Sequence, residues 1–490
     1  MLGDWLVVGS ATAVCQVLGL AAGLLFRLFL GPAQMGIWQA LKLFLSYGNY
    51  ASLGISKGAV REFNVALGSG ESTKARHGLN LAFTVNTLTS LVYAAVLLGV
   101  GAWIAAGSGS DWANGWGLGL TVIAVLVVVT RYVTFHVTIL RAKQAFAVTS
   151  QLSILEAVLT LLVAGLATWR WGLPGLYGGT LLATFGSVVF VRRYRGATLR
   201  WAWNTAEVRR LIGIGGPILL AGVSFSLFRT LDKLMILAYL SDREFQLGCY
   251  SLALMVTTQL FGLGNMLSIV LGPRYAEQYG RSGDRRAVAR LAARSSELVA
   301  AVMALPAAVA LLAAPPLVRY VLPDYQAGLA PLTWLVPGVI ALALALPASQ
   351  YLVAVDRQRR ALAAVLIATA VAALGNHVAL CGGYGLIGVA AATTAGHTMY
   401  FVLVVATSIW IELDRGGRLR YVAMLALALG PTVACTLLLR HFWPTPQMHW
   451  PALAAQLTTV LVVWGLTIAV GWRWGDWAAQ LKPELGPSRP

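Results

Sequence analysis

The sequence predicts an all-α, polytopic membrane protein with about 14 transmembrane helices, arranged as two pseudo-symmetric six-helix lobes plus two extra C-terminal helices. Of its 490 residues, 58% are hydrophobic and 11% are charged, whereas soluble domains carry about 25% charged residues. The apolar residues come in runs of roughly 20, the length that crosses the hydrocarbon core of a bilayer. An internal repeat divides most of these runs into two equivalent sets.

The predicted spans follow one another along the chain, separated by short polar or basic segments. The first run has no basic residue before it, so we expect a retained helix and not a cleaved signal peptide. Only Gly382-Gly383-Tyr384 separates the eleventh run from the twelfth. The spans are predicted at 5–30, 35–55, 78–105, 115–140, 147–168, 173–193, 209–240, 247–272, 291–314, 329–355, 361–382, 384–411, 421–440 and 453–473.

The distribution of basic residues predicts the orientation of the chain in the membrane. An even number of spans puts both termini on one side. If that side is the cytoplasm, the inner segments hold 27 of the 36 Lys and Arg residues and the outer loops hold four. This is the asymmetry of the positive-inside rule, and it also accounts for the net charge of +18. Because no basic face with stacking aromatic residues accompanies the charge, we expect no nucleic-acid partner.

Two alternatives stay open for the basic segment 274–297. Arg286, Arg290 and Arg294 recur every four residues, which predicts a helix along the inner membrane surface, attracted to anionic headgroups. The same residues also fit an ordinary basic loop that fixes topology.

Cysteine spacing and short motifs argue against several kinds of chemistry. The four cysteines lie far apart inside apolar runs, without a C-x-x-C pair, at Cys15, Cys249, Cys381 and Cys435. No Walker motif occurs, so we do not expect ATP to drive transport directly. We therefore expect no metal, no cofactor and no catalytic residue.

The chain resembles itself at a shift of about 212 residues, the separation of Gly36 and Gly248. Gly36-Ile37-Trp38 aligns with Gly248-Cys249-Tyr250, and Trp171 to Gly175 aligns with Tyr384 to Gly388 at nearly the same shift. Since the unit holds six spans, both halves enter the membrane with the same polarity, as in parallel transporter repeats. We predict an N-terminal lobe at 1–200, a C-terminal lobe at 201–420, and spans 13 and 14 with a cytoplasmic tail at 421–490.

Ionisable residues inside predicted spans are costly and usually functional. The cations outnumber the acids, and an excess of cations around a cavity favours an anionic guest such as phosphate or pyrophosphate. We predict a cationic substrate site from the five basic residues, and coupling or ion-pair roles for the two acidic ones. The basic residues are Arg27, Lys42, Arg131, Arg229 and Lys233, and the acidic ones are Glu156 and Asp232.

Structural alternatives accompany these assignments. Arg27 lies near a helix end and could extend to the membrane interface. Arg229, Asp232 and Lys233 share one helix and could form a structural ion pair. Pro217 follows three glycines near the start of span 7, which predicts a hinge or kink there.

Two stretches resemble a known family of flippases. LFLGPAQMGIWQALKLFLSYGNYASLGISKG and RTLDKLMILAYLSDREFQLGCYSLALMV are similar to lipid-linked oligosaccharide translocases of the multidrug/oligosaccharidyl-lipid/polysaccharide (MOP) superfamily. The resemblance covers roughly residues 10–410. It includes the Leu-Gly-Pro turn before Gly36, the Asp232-Lys233 pair, Gly248 with Tyr250, and the segment from Tyr351 to Arg360.

This resemblance implies two six-helix lobes around a cationic cavity that opens alternately to either side. The implied cargo is a polyprenyl-pyrophosphate-linked oligosaccharide for O-antigen or exopolysaccharide assembly, carried from the inner to the outer leaflet of the cell (inner) membrane. Arg27 and Lys42 of the first lobe, with Arg229 and Lys233 of the second, would hold the pyrophosphate. Membrane lipids and other polysaccharide-assembly membrane proteins are the implied partners.

Other functions compete with this one. A drug/cation antiporter of the same superfamily would use membrane-embedded acids in the first lobe, where the sequence offers Glu156. A membrane-embedded glycosyltransferase or polymerase would need catalytic groups on a sizeable outer loop, and the predicted outer loops are short. Glu156 is also the residue we expect to matter for energy coupling.

Overall fold

The structure is a computed structural model that describes residues 2–68, 72–107, 111–194, 199–443 and 450–474. The described residues are almost entirely helical, in agreement with the predicted fold class. The helices are α1 (Leu2–Phe29), α2 (Pro32–Gly48), α3 (Ile55–Gly68), α4 (Ser72–Gly107), α5 (Asp111–Ala142), α6 (Phe146–Leu159), α7 (Gly165–Arg193), α8 (Thr205–Tyr239), α9 (Arg243–Ser282), α10 (Arg285–Val321), α11 (Leu329–Ala354), α12 (Gln358–Cys381), α13 (Gly385–Thr407), α14 (Ile409–Glu412), α15 (Arg415–Phe442) and α16 (Trp450–Trp474).

Twelve helical stretches in the described part of the chain are long and apolar enough to cross a membrane. One of them, Phe146–Arg193, contains two predicted spans, because Gly172 has a non-helical backbone (φ 61°, ψ −136°) and turns the chain. A Cβ at Gly179 would overlap the backbone of Ala164, so the arms on either side of the turn pack against each other. With the 17-residue α2 added, the predicted number of about 14 spans is confirmed.

The second predicted span, 35–55, ends earlier in the structure. Helix α2 stops at Gly48, and the turn that follows places Leu53 and Gly54 at positive φ (52° and 83°). A left-handed backbone cannot continue a right-handed helix, so the chain changes direction and starts α3. This third helix was not predicted.

The basic segment 274–297 forms neither a loop nor a separate surface helix. Helices α9 and α10, of 40 and 37 residues, both continue through it and meet at a tight turn. Gly283 has a positive φ of 63°, and the Asp284 carboxylate caps α10 by accepting a hydrogen bond from the Arg286 backbone N–H at 2.8 Å. The basic residues are therefore carried on a helical hairpin.

The chain packs into two compact units. The first comprises Met1–Lys233 with Ser241–Gly248, and the second comprises Leu234–Leu240 with Cys249–Pro490. The predicted lobes at 1–200 and 201–420 and the segment 421–490 follow the repeat and stay a prediction. The predicted cytoplasmic tail lies outside the described residues beyond position 474.

Each unit has its own buried interior. In the first, Phe63, Leu79 and Phe135 belong to a cluster contributed by α3, α4 and α5. In the second, alanine is frequent among the buried residues, and Ala300 and Ala343 are fully buried on α10 and α11. Small side chains let helices approach closely, which drives helix association inside a bilayer.

Candidate functional site: a cationic cluster on three helices

Helix α8 runs antiparallel along α2 and α3 in the first unit. At one end, Tyr47 Oη lies 2.6 Å from Thr230 Oγ1. Since the Thr230 hydroxyl donates to the Ser226 carbonyl at 2.9 Å, the tyrosine is the donor. At the other end, the Arg210 guanidinium forms an ion pair with Glu62 at 2.9 Å. This register brings the charged part of α8, which carries Arg229 and Lys233, towards Lys42 on α2.

The starts of α2 and α9 touch through a reciprocal backbone contact. A Cβ at Gly36 would overlap the Glu244 carbonyl, and a Cβ at Gly248 would overlap the Pro32 carbonyl. Pro32 and Gly36 correspond to Glu244 and Gly248 in the sequence repeat. Gly36 contacts Glu244, and its repeat equivalent Gly248 contacts Pro32, the repeat equivalent of Glu244. The same contact is therefore made in both directions, which is the local pseudo-two-fold symmetry that the repeat predicts.

Lys42 lies at the centre of the cationic cluster, which we define as Arg27, Lys42, Arg229 and Lys233. It follows the first residue of α2 by ten positions, or about 15 Å of helix, near the middle of a bilayer core. Its side chain is exposed, and it is within electrostatic range of both Lys233 and Arg27. Two further cations within electrostatic range of a lysine concentrate positive charge inside a membrane span, where ionisable side chains are costly.

Arg27 is buried and does not extend to a membrane surface. It is 4% exposed, and its Nη1 donates to the Gly23 carbonyl at 2.8 Å. Although it belongs to the last turn of α1, its position near Lys42 places its charge on the inside of the unit. In the structure, Arg27 therefore does not extend to the membrane interface, which was the structural alternative for this residue.

Asp232 interacts with both cations of α8. Its carboxylate is buried, accepts a hydrogen bond from the Lys233 backbone N–H at 2.8 Å, and acts electrostatically on Arg229 and on Lys233. Arg229 is also within electrostatic range of Tyr50. One carboxylate thus offsets part of the charge of two cations, and the cluster keeps an excess of positive charge.

Arg131 is set apart from the cluster by its bonding. It is 4% exposed on α5, and its Nη2 donates to Asn86 Oδ1 of α4 at 2.6 Å. The charged neighbours of Lys42 are Lys233 and Arg27, not Arg131. A buried guanidinium held by a neutral amide suits a structural role in the α4–α5 pair better than contact with a cargo.

The remaining predicted residues lie elsewhere in the first unit. Glu156 is exposed on α6 and interacts electrostatically with Cys15 of α1. Pro217 is exposed inside α8, which runs unbroken from Thr205 to Tyr239. The hinge at Pro217 stays a prediction.

One buried acidic residue in the described part of the chain was missed. Glu297 lies on α10, is 2% exposed, and interacts with Tyr421 of α15. The signal was present, because an acidic residue inside the predicted span 291–314 belongs with the other membrane-embedded charges. No group of three or more His, Cys, Asp or Glu side chains that could hold a metal occurs among the described residues.

This fold is shared with flippases and transporters of the MOP superfamily. A structure described as the lipid II flippase MurJ in an inward closed conformation matches with a TM-score of 0.71 at 12% identity, covering 96% of this chain and 99% of that one. An inward-facing multidrug resistance MATE family transporter of the superfamily matches with a TM-score of 0.62 at 14% identity, covering 86% of this chain and 98% of that one. The fold that this resemblance implies is confirmed.

A third structure is a MOP superfamily transporter from Pyrococcus furiosus, with a TM-score of 0.56 and 13% identity over 86% of this chain and 96% of that one. Its description reports a binding pocket of reverse polarity that suggests a different function. No curated protein matches the sequence. A family profile described as polysaccharide biosynthesis protein matches residues 27–326, and the chain belongs to that family.

Proposed function

We propose that the protein is a flippase that moves polyprenyl-pyrophosphate-linked oligosaccharides from the inner to the outer leaflet of the cell inner membrane. The cargo would serve cell-surface polysaccharide assembly, of O-antigen or exopolysaccharide. The observation that carries this proposal is the cationic cluster, because it offers an anionic headgroup a site within a membrane-spanning unit. The polysaccharide biosynthesis family and the fold of a lipid II flippase support the same class of cargo.

The chemistry of the cluster suits a pyrophosphate. Arg27 and Arg229 can form paired hydrogen bonds with phosphate oxygens, and Lys42 and Lys233 add point charges. Asp232 offsets part of this charge and orients the two cations of α8. Arg131 takes no direct part in this arrangement.

A protein site is needed because a bare headgroup crosses hydrocarbon slowly. Transfer of an unpaired ion into an apolar medium costs tens of kcal/mol by Born-type arguments. A cavity lined by cations and hydroxyl groups substitutes for water around the pyrophosphate and sugar, and the polyprenyl tail stays in the bilayer. Alternating access, with bending of α8 near Pro217, would expose the site first to one leaflet and then to the other. Both termini would lie in the cytoplasm.

The proposal is tested by translocation in liposomes. The purified protein is reconstituted with a fluorescent polyprenyl-pyrophosphate sugar, and wild type is compared with a Lys42→Ala, Arg229→Ala double variant. Lys57→Ala is the matched control, since Lys57 is an exposed lysine of α3. We expect transport by wild type and by the control, and loss of transport in the folded double variant.

Two other outcomes would contradict the proposal. Equal transport by the double variant would remove the cationic cluster from the mechanism. Absence of lipid-linked sugar transport together with proton- or sodium-driven drug exchange would favour the antiporter alternative, whose fold is the same.

A further inference from the structure

We propose that His377 and Cys381 form a binding site for a zinc-type metal ion at the end of α12, and that Tyr239 positions the histidine for it. The site is separate from the cationic cluster and does not depend on the proposed cargo. Three observations carry the inference: the spacing of the two ligands on one helix, the distance between their donor atoms, and the contact that orients the imidazole.

The three side chains meet at one end of the second unit. Tyr239 is the last residue of α8, Cys381 is the last residue of α12, and His377 lies one turn before it. Helix α12 has 24 residues, or about 36 Å, which exceeds the roughly 30 Å of hydrocarbon core. Its last turn therefore lies at the boundary of the membrane, where an ion can arrive from water.

Both proposed ligands are accessible. His377 is exposed, and Tyr239 above it is 47% exposed. All four cysteines of the chain lie in its described part, and Cys381 is the exposed one, whereas the other three are buried or half-buried. The thiol and the imidazole are thus open to a metal ion without any opening of the fold.

The two donor atoms are almost at the separation that a metal ion requires. His377 and Cys381 are four residues apart, so they lie on the same helix face. The Cys381 Sγ is 3.9 Å from the His377 Nε2 and 3.8 Å from its Nδ1. A tetrahedral zinc ion, with bonds of about 2.0 Å to nitrogen and about 2.3 Å to sulfur, places these atoms about 3.5 Å apart. Small side-chain rotations bring the pair to that distance.

Tyr239 decides which nitrogen of His377 is free. Its Oη lies 2.9 Å from the His377 Nδ1, and the two rings meet edge to face with their centroids 5.5 Å apart. This contact occupies Nδ1 and leaves Nε2 for the metal. With the metal on Nε2, Nδ1 keeps its proton and donates to the tyrosine oxygen. A hydrogen bond of this kind fixes the tautomer and the ring orientation of metal-binding histidines, so Tyr239 is a positioning residue.

The end of α12 also favours a cation. The carbonyl end of a helix carries partial negative charge, and Cys381 is the residue at which α12 ends. The chain leaves the helix through Gly382 and Gly383, of which the second has a positive φ of 74°. The thiol, the imidazole and the carbonyl end of the helix are therefore brought to one place.

The chemistry of the two ligands selects the kind of ion. Thiolate and imidazole bind zinc and similar metals, whereas Mg²⁺ and Ca²⁺ take oxygen ligands. The site has two protein ligands, fewer than the groups of three described above, so water completes the coordination of the metal. Because the thiolate is the ligand, binding releases the thiol proton to solvent. The sequence concealed this pair, because its three intervening residues fit a helix and not a C-x-x-C loop.

Cobalt titration tests the site directly. The untagged full-length protein in detergent is titrated with Co²⁺, because a thiolate bound to Co²⁺ produces a charge-transfer absorption band. We expect this band in wild type, saturation at one ion per chain, and displacement by Zn²⁺. The band should be lost in Cys381→Ser and in His377→Ala. Cys435→Ser is the matched control, since this cysteine lies on α15 away from the proposed ligands, and it should keep the band.

Two further measurements sharpen the result. Tyr239→Phe keeps both ligands, so the saturated spectrum should be unchanged while the affinity for Co²⁺ falls about tenfold. Zn²⁺ should slow the reaction of Cys381 with a maleimide in wild type and not in His377→Ala.

The outcomes that overturn the inference are specific to the metal. A wild type without the band, or a band that survives in Cys381→Ser, would remove the site. An unchanged affinity in Tyr239→Phe would remove the positioning role of the tyrosine. These measurements need no cargo, so a failure of sugar transport in liposomes would contradict the proposed function and not the metal site.

Discussion

The two compact units differ in their charge distribution, and the first unit also includes Arg229 and Lys233, which belong to the second copy of the sequence repeat. The cationic cluster and Glu156 all belong to the first unit. Shifted by the length of the repeat, Lys42 corresponds to Leu254 and Glu156 to Ala368, both apolar. The buried acid of the second unit, Glu297, interacts with Tyr421 of the appended α15.

This difference shows which properties the repeat preserves. The reciprocal glycine contact between Gly36 and Gly248 repeats, because both copies of the motif must let backbones approach. The charges do not recur at equivalent positions. Arg229 and Lys233 of the second copy correspond to Val17 and Ala21 of the first. Every further charge in a membrane span costs free energy, so the repeat alone gives no reason to keep a charge in both copies. The comparison therefore separates the glycines that build the fold from the charged residues that we propose bind the cargo.

The largest effect is expected from reversing a charge in the first unit. Lys42→Glu should lower the rate of lipid-linked sugar transport by on the order of 100-fold, because a carboxylate would repel the pyrophosphate that the lysine attracts. The measurement is the initial rate in liposomes, with Lys57→Glu as control on the exposed side of α3. An equal loss in both variants would mean that general surface charge, not the cluster, governs transport.

A second contrast separates the two membrane-embedded acids. Glu297→Ala should lower the free energy of unfolding by about 2 kcal/mol, because Glu297 is 2% exposed and its truncation leaves a cavity. Glu156→Ala should leave stability unchanged, because Glu156 is exposed. Unfolding in detergent, followed by tryptophan fluorescence, measures both. Equal stability of the two variants would make the assignment of a structural role to Glu297 wrong.

The glycine contact gives a smaller and symmetric effect. Gly36→Ala and Gly248→Ala should each cost about 2 kcal/mol, because the added methyl group overlaps a backbone carbonyl and the helices must separate. The double variant should cost less than the sum, since one separation relieves both overlaps. Gly99→Ala is the control: nothing lies within 4 Å of its added Cβ, so it should be neutral or stabilising. Strictly additive costs would show that the two contacts are independent.

The smallest effect is expected at the exposed end of α8. Arg210→Ala should cost less than about 1 kcal/mol, because its ion pair with Glu62 is solvent-exposed. Arg209→Ala, on the exposed neighbouring residue, should cost nothing measurable. Unfolding at low and high salt tests this, and a loss that persists at high salt would identify a tighter interaction than the ion pair.

Much of the candidate site was available from the sequence. Charged residues are rare in apolar runs, because a charge inside the membrane costs free energy. Their presence in a run therefore marks them as candidates, and Lys42, Arg229 and Asp232 were predicted in this way. Burial was not available. The sequence could not show that Arg27 is turned inside its unit, nor that Arg131 is bonded to Asn86, because both depend on a neighbouring helix that is distant in sequence.

The sequence by itself determined the class of fold, the approximate number and order of the spans, the repeat and the set of candidate charges. These follow from local hydrophobicity and residue identity, which the bilayer constrains one segment at a time. Only the tertiary structure decided where the helices turn, which helices lie side by side, and which charges meet. The examples are the positive-φ residues after α2, the hairpin at Gly172, and the antiparallel register of α8 with α2 and α3. These features depend on packing between segments that are distant in sequence, and the hydrophobic pattern within one segment carries no information about that packing.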